Sequence, residues 1–378
     1  MYGSNGLVGS NVAALTNGPT VIVGRKGSAG RVHQSEIPCF PIDTTYYVDD
    51  FEVLDFSFSA HLLNGLGLEK LNRATAVPGL NREEAYALAI NIPPQAEQRR
   101  IVAKLDMLTA RLARARAELD RVPVLAKRLR DVALTAAFEG RLIEEADAPR
   151  ESWIVVPFSE AGEIASNLVD PRDIGDLPHI APNHISSGLP KLLPHRTIAE
   201  DGVISAKHHF YAGQIIYSKI RPYLRKVVQV AFDGGCSADM YPINARCHSR
   251  YLMYWMLSPQ FTWLASQQEG RTVLPKINQN ALNTIPTPLA PESVQAVIAE
   301  SLDNIFARAD RLEAEAARAR ALIDRLEAAI LAKAFRGELV PQDPNDEPAS
   351  VLLERIHAQR AAAPKAKRGR RAAAQDAT

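Results

Sequence analysis

The chain has 378 residues and a mass of 41.4 kDa, which is more than one hydrophobic core comfortably holds, so we expect two or three domains. Its 44 basic and 43 acidic residues leave a formal charge of +1, which excludes a uniformly basic nucleic-acid coat but allows local basic patches. Hydrophobic residues at 46% exclude disorder throughout, and only 6% aromatic residues beside abundant alanine, leucine and arginine indicate long helices.

The amino-terminal stretch MYGSNGLVGS lacks the basic and then apolar pattern of a secretion signal. The longest apolar runs, such as Leu252–Leu257, fall far short of the roughly 20 residues that span a bilayer. Three cysteines, Cys39, Cys236 and Cys247, form no CxxC pair and cannot supply a disulfide framework. We therefore expect a cytoplasmic protein with no membrane partner and with reduced thiols.

Residues 1–91 are rich in glycine, proline and asparagine, and short β-type runs at Thr20–Val23 and Tyr46–Val48 predict a mixed α/β domain with many loops. Directly after the first run, the stretch GRKGSAGRV supplies four candidate DNA-binding side chains: Arg25, Lys26, Ser28 and Arg31. Cations at this density can neutralise phosphates, whereas an ordinary solvated surface is the plain alternative.

The glycines of GRKGSAG also suggest a phosphate-binding loop, because successive backbone amides can surround an anion. The spacing of a nucleotide-binding loop is absent, since Ala29 stands where the second glycine of that motif belongs. A nucleotide-dependent enzyme is therefore a hypothesis that rests on this stretch alone. Binding of a DNA phosphate by the same amides is a separate hypothesis.

Residues 92–142 carry apolar side chains at alternating steps of four and three, the pattern of a coiled-coil seam. The seam positions are Ile101, Leu105, Leu108, Leu112, Ala115, Leu119, Val122, Ala126, Leu129 and Ala133. At 1.5 Å per residue such a helix is about 65 Å long. Pro123 should kink or break it, and Gly140 stands where a left-handed cap would end it. An amphipathic helix packed separately on a globular core is the alternative.

Residues 143–287 form a second mixed α/β segment, with β-type runs at Gln214–Tyr217 and Val227–Ala231. It resembles the first segment only loosely, in that Val21–Val23 and the next three residues can be laid on Ile215–Tyr217 and the three residues after it.

This second segment also concentrates basic side chains. The interval 202–232 contains no acidic residue and holds six more candidate DNA-binding side chains: Lys207, Lys219, Arg221, Tyr223, Arg225 and Lys226. Arginine and lysine can contact phosphates or present donors to base edges in the major groove. His179 and His184, five residues apart, are a weak candidate for a metal pair, and we expect no metal site.

Residues 288–340 repeat the first helical segment at a constant offset of 197 residues. Residues 92–142 and 289–339 align without a gap and share 19 identities, including an A-F-x-G-x-L ending with Phe138 and Phe335. The second seam comprises Ile298, Leu302, Ile305, Ala309, Leu312, Ala316, Ala319, Ile323, Leu326 and Ile330. The chain is therefore predicted to contain an internal duplication, arranged globular–helix–globular–helix.

Residues 341–378 should form one short helix from about Pro348 and then a basic disordered tail. The tail has five cations: Lys365, Lys367, Arg368, Arg370 and Arg371. They are either simply solvated or make nonspecific contacts with DNA. No catalytic residue is predicted, because zinc-protease, cysteine–histidine zinc and serine-hydrolase motifs are all missing.

This combination closely resembles the specificity (S) subunit of type I restriction–modification systems over nearly the whole chain. The residues that carry the resemblance are YGSNGLVG, IVGRKGSAGRV, PIDTTYYV, AGQIIYSKIRPYLRKV, CSADMYPI, IPPQAEQRRIVAKLD, the two A-F-x-G-x-L endings and LVPQDPNDEPASVLLERI. The resemblance implies an α+β protein with two target-recognition domains separated by two long antiparallel coiled-coil helices.

The resemblance further implies a non-catalytic subunit that reads a bipartite double-stranded DNA target. In that family the helices act as a spacer and dock two modification (methyltransferase, M) subunits, which the restriction (R) subunits then join. S-adenosylmethionine, ATP and Mg are expected in those partners and not in this chain.

The repeat offset places the counterpart of Trp153 about 44 residues before Met1, so we expect roughly the first third of the first recognition domain to be missing, through a misassigned start codon or a truncation. A truncated coiled-coil scaffold without sequence-specific DNA binding is therefore the alternative function.

Overall fold

A computed structural model describes residues 1–71, 79–143, 150–267 and 275–362 of the chain. The five cations of the predicted basic tail lie outside the described residues. The chain divides into two compact units, a first unit of Met1–Leu119 with Arg318–Thr378 and a second unit of Asp120–Ala317. Each unit contains one of the predicted globular segments together with part of both long helices.

The first unit is built on a three-stranded antiparallel sheet. Its elements are β1 (Tyr2–Gly3), β2 (Gly6–Leu7), β3 (Thr20–Gly24), β4 (Val32–Ser35), β5 (Thr45–Val48), α1 (Phe56–Gly65), α2 (Arg82–Tyr86) and the first long helix α3 (Gln95–Phe138), which continues into the second unit. The central strand is β3, between β4 and β5, and every residue of its apolar run TVIVG is buried. Both strands predicted from this segment are confirmed.

The second unit contains two four-stranded sheets and several short helices. Its elements are β6 (Ile154–Pro157), α4 (Phe158–Ala161), β7 (Gly162–Ile164), β8 (Leu168–Val169), β9 (His179–Ile180), β10 (Lys207–Phe210), β11 (Ile215–Ser218), β12 (Val227–Gln229), β13 (Gly234–Cys236), β14 (Met240–Ala245), α5 (Ser249–Leu257), α6 (Pro259–Gln267), α7 (Gln279–Asn283), β15 (Pro286–Leu289) and the second long helix α8 (Glu292–Phe335). Helix α8 continues into the first unit, which ends with α9 (Ala349–Ala362).

One sheet of the second unit is antiparallel throughout and the other is mixed. The antiparallel sheet has the strand order β12-β11-β14-β7, and the mixed sheet has the order β8-β10-β13-β9 with β13 and β9 parallel. Strands β6 and β15 pair separately. The predicted α+β class is confirmed, as are the strands predicted at Gln214–Tyr217 and Val227–Ala231 and the short helix predicted from about Pro348.

The two long helices end in the same way, as the repeated A-F-x-G-x-L sequence predicts. Each has 44 residues, and the bounds of α8 lie 197 residues after those of α3. Gly140 and Gly337 adopt φ values of 74° and 77°, in the left-handed region where glycine carries no side-chain penalty. The amides of Arg141 and Glu338 bond back to helix carbonyls at 2.8 and 2.9 Å, which closes each helix in a Schellman motif.

The phenylalanine of each ending anchors its helix in a different unit. Phe138 packs edge-on against Tyr251 and Trp255 in the second unit, with ring centroids 5.1 Å apart. Phe335 packs against Phe58 of α1 in the first unit at 5.8 Å. These contacts join the helix ends to large apolar cores, which explains why this short motif is shared while its surroundings differ.

Pro123 does not break α3; a break is one of the two outcomes that the sequence predicts for it, a kink or a break. A proline lacks the amide that would bond to the carbonyl four residues earlier, here Leu119. The helix nevertheless runs without a break from Gln95 to Phe138. Side-chain bonds to α8 flank the proline, from Arg116 in the first unit and from Arg130 in the second, and they stabilise the helical turns on both sides.

The seam between the helices differs from the predicted apolar stripe at two repeated positions. The predicted positions Ile101, Leu105, Ile298 and Leu302 are fully buried, and Leu108, Leu112, Leu119, Ile305 and Ile323 are partly buried. By contrast, Leu129, Leu312 and Leu326 are 40%, 44% and 50% exposed. In each case the next residue in the chain, which is charged, faces the partner helix instead. These residues are Arg130, Glu313 and Glu327.

Those charged residues form one ionic layer in each unit. In the first unit the Arg116 guanidinium contacts the carboxylates of Asp324 and Glu327, both at 2.6 Å. In the second unit the Arg130 guanidinium contacts Asp310 at 2.5 Å and Glu313 at 2.7 Å. The later residue of α3, Arg130, thus pairs with earlier residues of α8 than Arg116 does. The two helices therefore run antiparallel, as predicted.

Candidate nucleic-acid interface

The basic loop of the first unit lies immediately after the central strand β3. Arg25, Lys26 and Arg31 are exposed, and Ser28 is half-buried. The guanidinium of Arg25 lies 5.6 Å from the centre of the Tyr46 ring on the neighbouring strand β5, which is cation–π distance. Three of the four side chains predicted here are therefore open to an approaching polyanion.

The amides of this loop are largely used within the protein. The amides of Gly24, Arg25, Lys26, Gly30 and Arg31 all donate to backbone carbonyls of the same domain, at distances of 2.7 to 3.3 Å. Gly27 and Gly30 take positive φ values of 78° and 82° to make the turn. A phosphate-binding loop needs amides that point outward together, and the amides of Gly24, Arg25, Lys26 and Gly30 in GRKGSAG are already bonded within the protein.

The basic cluster of the second unit separates into exposed and internal side chains. Arg221 and Tyr223 are exposed at the turn between β11 and β12, where Tyr223 retains 53% of its accessible surface. Lys219 is half-buried, with its ammonium 5.1 Å from the centre of the Tyr241 ring. Arg221 and Arg225 both adopt φ of 49°, so this turn is held in a backbone conformation that residues other than glycine adopt rarely.

The other three candidates in the second unit bond to the protein itself. Arg225 donates to the Asp131 carboxylate of α3 at 2.6 Å. The ammonium of Lys226 donates to the Pro182 carbonyl at 2.5 Å, and that of Lys207 to the Ser205 hydroxyl at 2.6 Å. Burial lowers the pKa of both lysines. Residue type alone could not reveal this, because the partners are set by the tertiary fold.

The histidines of the second unit form an internal network. The Nδ1 atom of His179 lies 2.8 Å from a carboxylate oxygen of Asp201, and His184 accepts a hydrogen bond from the Ala181 amide at 3.2 Å. Burial lowers the pKa of His184. Within the described residues no group of histidine, cysteine and acidic side chains has the arrangement of a metal site.

Sequence and structure comparisons identify the family. A type I restriction enzyme specificity subunit from Escherichia coli, EcoDI, is 40% identical over 354 residues, covering 84% of this chain and 79% of that protein. This chain belongs to the type I restriction enzyme specificity subunits. A second E. coli specificity subunit, EcoBI, is 29% identical over 352 residues. The match covers 81% of the present chain and 72% of EcoBI. No protein-family profile matches the chain.

Solved structures share the fold of this specificity subunit. One, determined to explain complex assembly and conformational transition in a type I R-M system, gives a TM-score of 0.66 with 22% identity over 86% of this chain and 83% of its own. The HsdS subunit of Thermoanaerobacter tengcongensis gives 0.55 with 21% identity over 86% and 82%. The fold expected from the resemblance is thus confirmed, including the two long helices that pack together. Among the described residues, no helix is long and apolar enough to cross a membrane.

Proposed function

We propose that this chain is the non-catalytic subunit that reads a bipartite double-stranded DNA target for a type I restriction–modification complex. The observation that carries the proposal is that each unit presents cationic side chains within three residues after an inner strand of an antiparallel sheet: Arg25 and Lys26 in the first unit, Lys219 and Arg221 in the second. Two such loops on a duplicated helical framework match a target read in two halves.

The proposed protein partners are two modification subunits, which the restriction subunits join. One repeated surface feature supports the number two. Leu125 of α3 and Leu322 of α8 occupy the same repeat position, and both are exposed, at 54% and 60%. A single exposed leucine is ordinary on a protein surface, but one that recurs at the same repeat position offers two equivalent candidate contacts. S-adenosylmethionine belongs in this scheme to the modification subunits, and ATP and Mg²⁺ to the restriction subunits.

The experiment is to express the full chain with its modification subunits and map the methylated bases across a genome. We expect one sequence with two defined halves and a fixed gap. Methylation at unrelated positions, or binding of random duplexes as tightly as of any enriched sequence, would instead establish the scaffold function without sequence recognition.

The same assay tests whether the helices set the gap between the two halves. One heptad is inserted into each long helix at facing positions, after Asp120 and after Ala319, so that both seams keep their phase. Seven residues lengthen a helix by about 10 Å, so we expect the same half-sites with a gap longer by up to about three base pairs. An unchanged gap in a complex that still methylates would contradict the spacer function.

A further inference from the structure

Each recognition domain has a cation immediately after a corresponding strand of its antiparallel sheet, although the two domains resemble each other only loosely in sequence. In the first domain Arg25 follows the last residue of β3, and in the second Lys219 follows the last residue of β11. Each strand lies at an inner position of an antiparallel sheet. The two cations are therefore candidates for a common task.

The amides of the two cations are held in the same way. The Arg25 amide donates to the Thr44 carbonyl at 2.8 Å, and the Lys219 amide donates to the Asp239 carbonyl at 3.0 Å. Thr44 and Asp239 each immediately precede the neighbouring antiparallel strand, β5 in one domain and β14 in the other. The bond fixes the direction in which the chain leaves the sheet after the cation.

The carbonyls of the two cations are held by a second shared contact. The Leu80 amide donates to the Arg25 carbonyl, and the Ile277 amide donates to the Lys219 carbonyl, both at 2.9 Å. Leu80 and Ile277 are separated by the 197-residue offset of the helical repeat, so they are equivalent residues. The backbone N–H and C=O of each cation are therefore both bonded within the domain, which positions the side chain relative to the sheet.

The side chains share a third contact, since each lies over a tyrosine. Tyr46 and Tyr241 stand on the neighbouring strand, each directly opposite the residue two before the cation. The distances to the ring centres are 5.6 Å for Arg25 and 5.1 Å for Lys219. A ring face holds a cation without neutralising it, so the charge remains available to an anion.

The acidic groups near these two positions are few. Within the described parts of the chain, no salt bridge joins Arg25 or Lys219 to a carboxylate. Glu83 lines the same hollow as Arg25, and the Asp239 carboxylate near Lys219 is occupied by Lys276 at 3.0 Å. Neither cation is therefore neutralised by a direct ion pair within the described residues.

The difference between the two cations indicates what they bind. An arginine that reads guanine does so with two parallel donors, a geometry that a lysine ammonium cannot reproduce. A phosphate needs only a positive charge at the correct place. Two domains that read different half-sites also have no reason to share a base-reading residue, whereas the DNA backbone is the same at both half-sites.

Resting on the proposed function, we infer that Arg25 and Lys219 are equivalent phosphate-binding positions that set the register of each recognition domain on the DNA backbone. Base recognition then belongs to exposed neighbours that are not shared between the domains. In the first domain that neighbour is Lys26, whose counterpart is Ile220. In the second they are Arg221 and Tyr223.

The test uses the full chain assembled with its modification subunits, and two duplexes of equal length. One duplex contains the sequence that the complex methylates, and the other contains the same bases scrambled. We expect Arg25→Ala and Lys219→Ala each to weaken binding to both duplexes by the same factor, to leave their affinity ratio unchanged, and to reduce the slope of log affinity against log salt by about 0.9. The exchanges Arg25→Lys and Lys219→Arg should restore both quantities, because the charge returns.

Exposed lysines elsewhere in each domain serve as matched controls. Lys70→Ala in the first domain and Lys191→Ala in the second remove one charge without touching the shared position, so the salt slope should not change. Failure of the unsubstituted complex to prefer its methylated sequence would overturn the proposed function itself. With that preference intact, the inference is overturned by an unaltered salt slope in either variant, or by a loss limited to the target duplex, which would identify a base contact.

Discussion

The carboxylate of Asp346 shows how a single residue of the first unit ties a loop to a long helix. It accepts two hydrogen bonds from the Arg100 guanidinium of α3, at 2.6 and 3.2 Å. Its side chain is only 12% exposed. The bonds from Arg100 lower the pKa of Asp346, while burial raises the pKa of Glu97 one turn earlier in α3. These two acids therefore affect stability in opposite directions as the pH changes.

The first prediction concerns Asp346→Asn. A carboxyl group whose pKa is lower in the folded state stabilises the protein above its unfolded pKa, about 3.8, and that stability is lost as the pH falls toward the folded value. We expect the variant to melt at a lower temperature than the parent at pH 7, with the difference shrinking below about pH 4. The measurement is the melting temperature of both proteins across this pH range.

Asp343→Asn is the control for this prediction. It removes the same charge three residues away and keeps the side-chain oxygen that accepts the Asn345 amide. Its melting temperature should stay closer to that of the parent than the melting temperature of Asp346→Asn does, because Asp343 acts on Arg100 only through its charge and Asp346 also accepts hydrogen bonds from it. A constant difference between Asp346→Asn and the parent at all pH values would show that Arg100 does not depend on the charge of its partner.

The two long helices are the elements whose bounds the sequence predicted best. Their ionic layers add a charge complementarity that the apolar pattern alone does not show. Arg116 and Glu313 occupy the same repeat position, as do Arg130 and Glu327. Thus the first helix carries arginine at both positions and the second carries glutamate at both. The duplicated helices are complementary to each other, whereas two copies of either one, paired in this register, would place like charges together.

The second prediction tests this complementarity by exchanging charges in one layer. Arg116→Glu places a carboxylate against Asp324 and Glu327, so we expect it to lower the denaturant concentration at the unfolding midpoint, because like charges then face each other. Adding Glu327→Arg should recover a large part of that loss, because a facing pair is restored. The measurement is a double-mutant cycle by chemical denaturation.

The equivalent exchange in the second unit, Arg130→Glu with Glu313→Arg, is the matched comparison. The Arg130 side chain is 5% exposed against 25% for Arg116, so the single variant should cost more there. Additive losses in both double variants would mean that the layers contribute no pairing energy and that the apolar seam alone selects the partner helix.

At the scale of the whole molecule, the duplication gives the chain two equivalent sets of helix positions. Each compact unit combines one globular segment with parts of both long helices. Each recognition domain is thereby joined to helix segments from both copies of the repeat. Changes in either helix are consequently changes in the framework of both domains.

The third prediction concerns the number of modification subunits. Leu125→Lys and Leu322→Lys are each expected to leave a complex with one modification subunit, and the double variant a complex with none, because each removes one of two equivalent apolar contacts. The stoichiometry is measured by native mass spectrometry. Ile204→Lys, at an apolar residue that is 95% exposed in the second domain, is the control and should keep both subunits. Two bound subunits in the double variant would exclude this surface.

Much of the architecture was determined by the sequence alone, because it depends on local rules. The 3.5-residue apolar period, the repeat offset, the glycine caps at Gly140 and Gly337 and the short strand runs all concern neighbours along the chain. The duplication and the resemblance to specificity subunits follow from the same signals. Pro123 is the exception, since α3 continues through it although its local rule allows a break there.

Only the tertiary structure decided which charged side chains face solvent and which pair inside the protein. It separated the exposed Arg25 and Arg221 from the internal Arg225, and it turned Arg130 into the seam in place of Leu129. Such choices depend on partners tens to hundreds of residues away, because burying a charge is favourable only where a matching group meets it. The near-neutral charge of the chain thus conceals two kinds of arginine, one that pairs inside the protein and one whose guanidinium faces solvent.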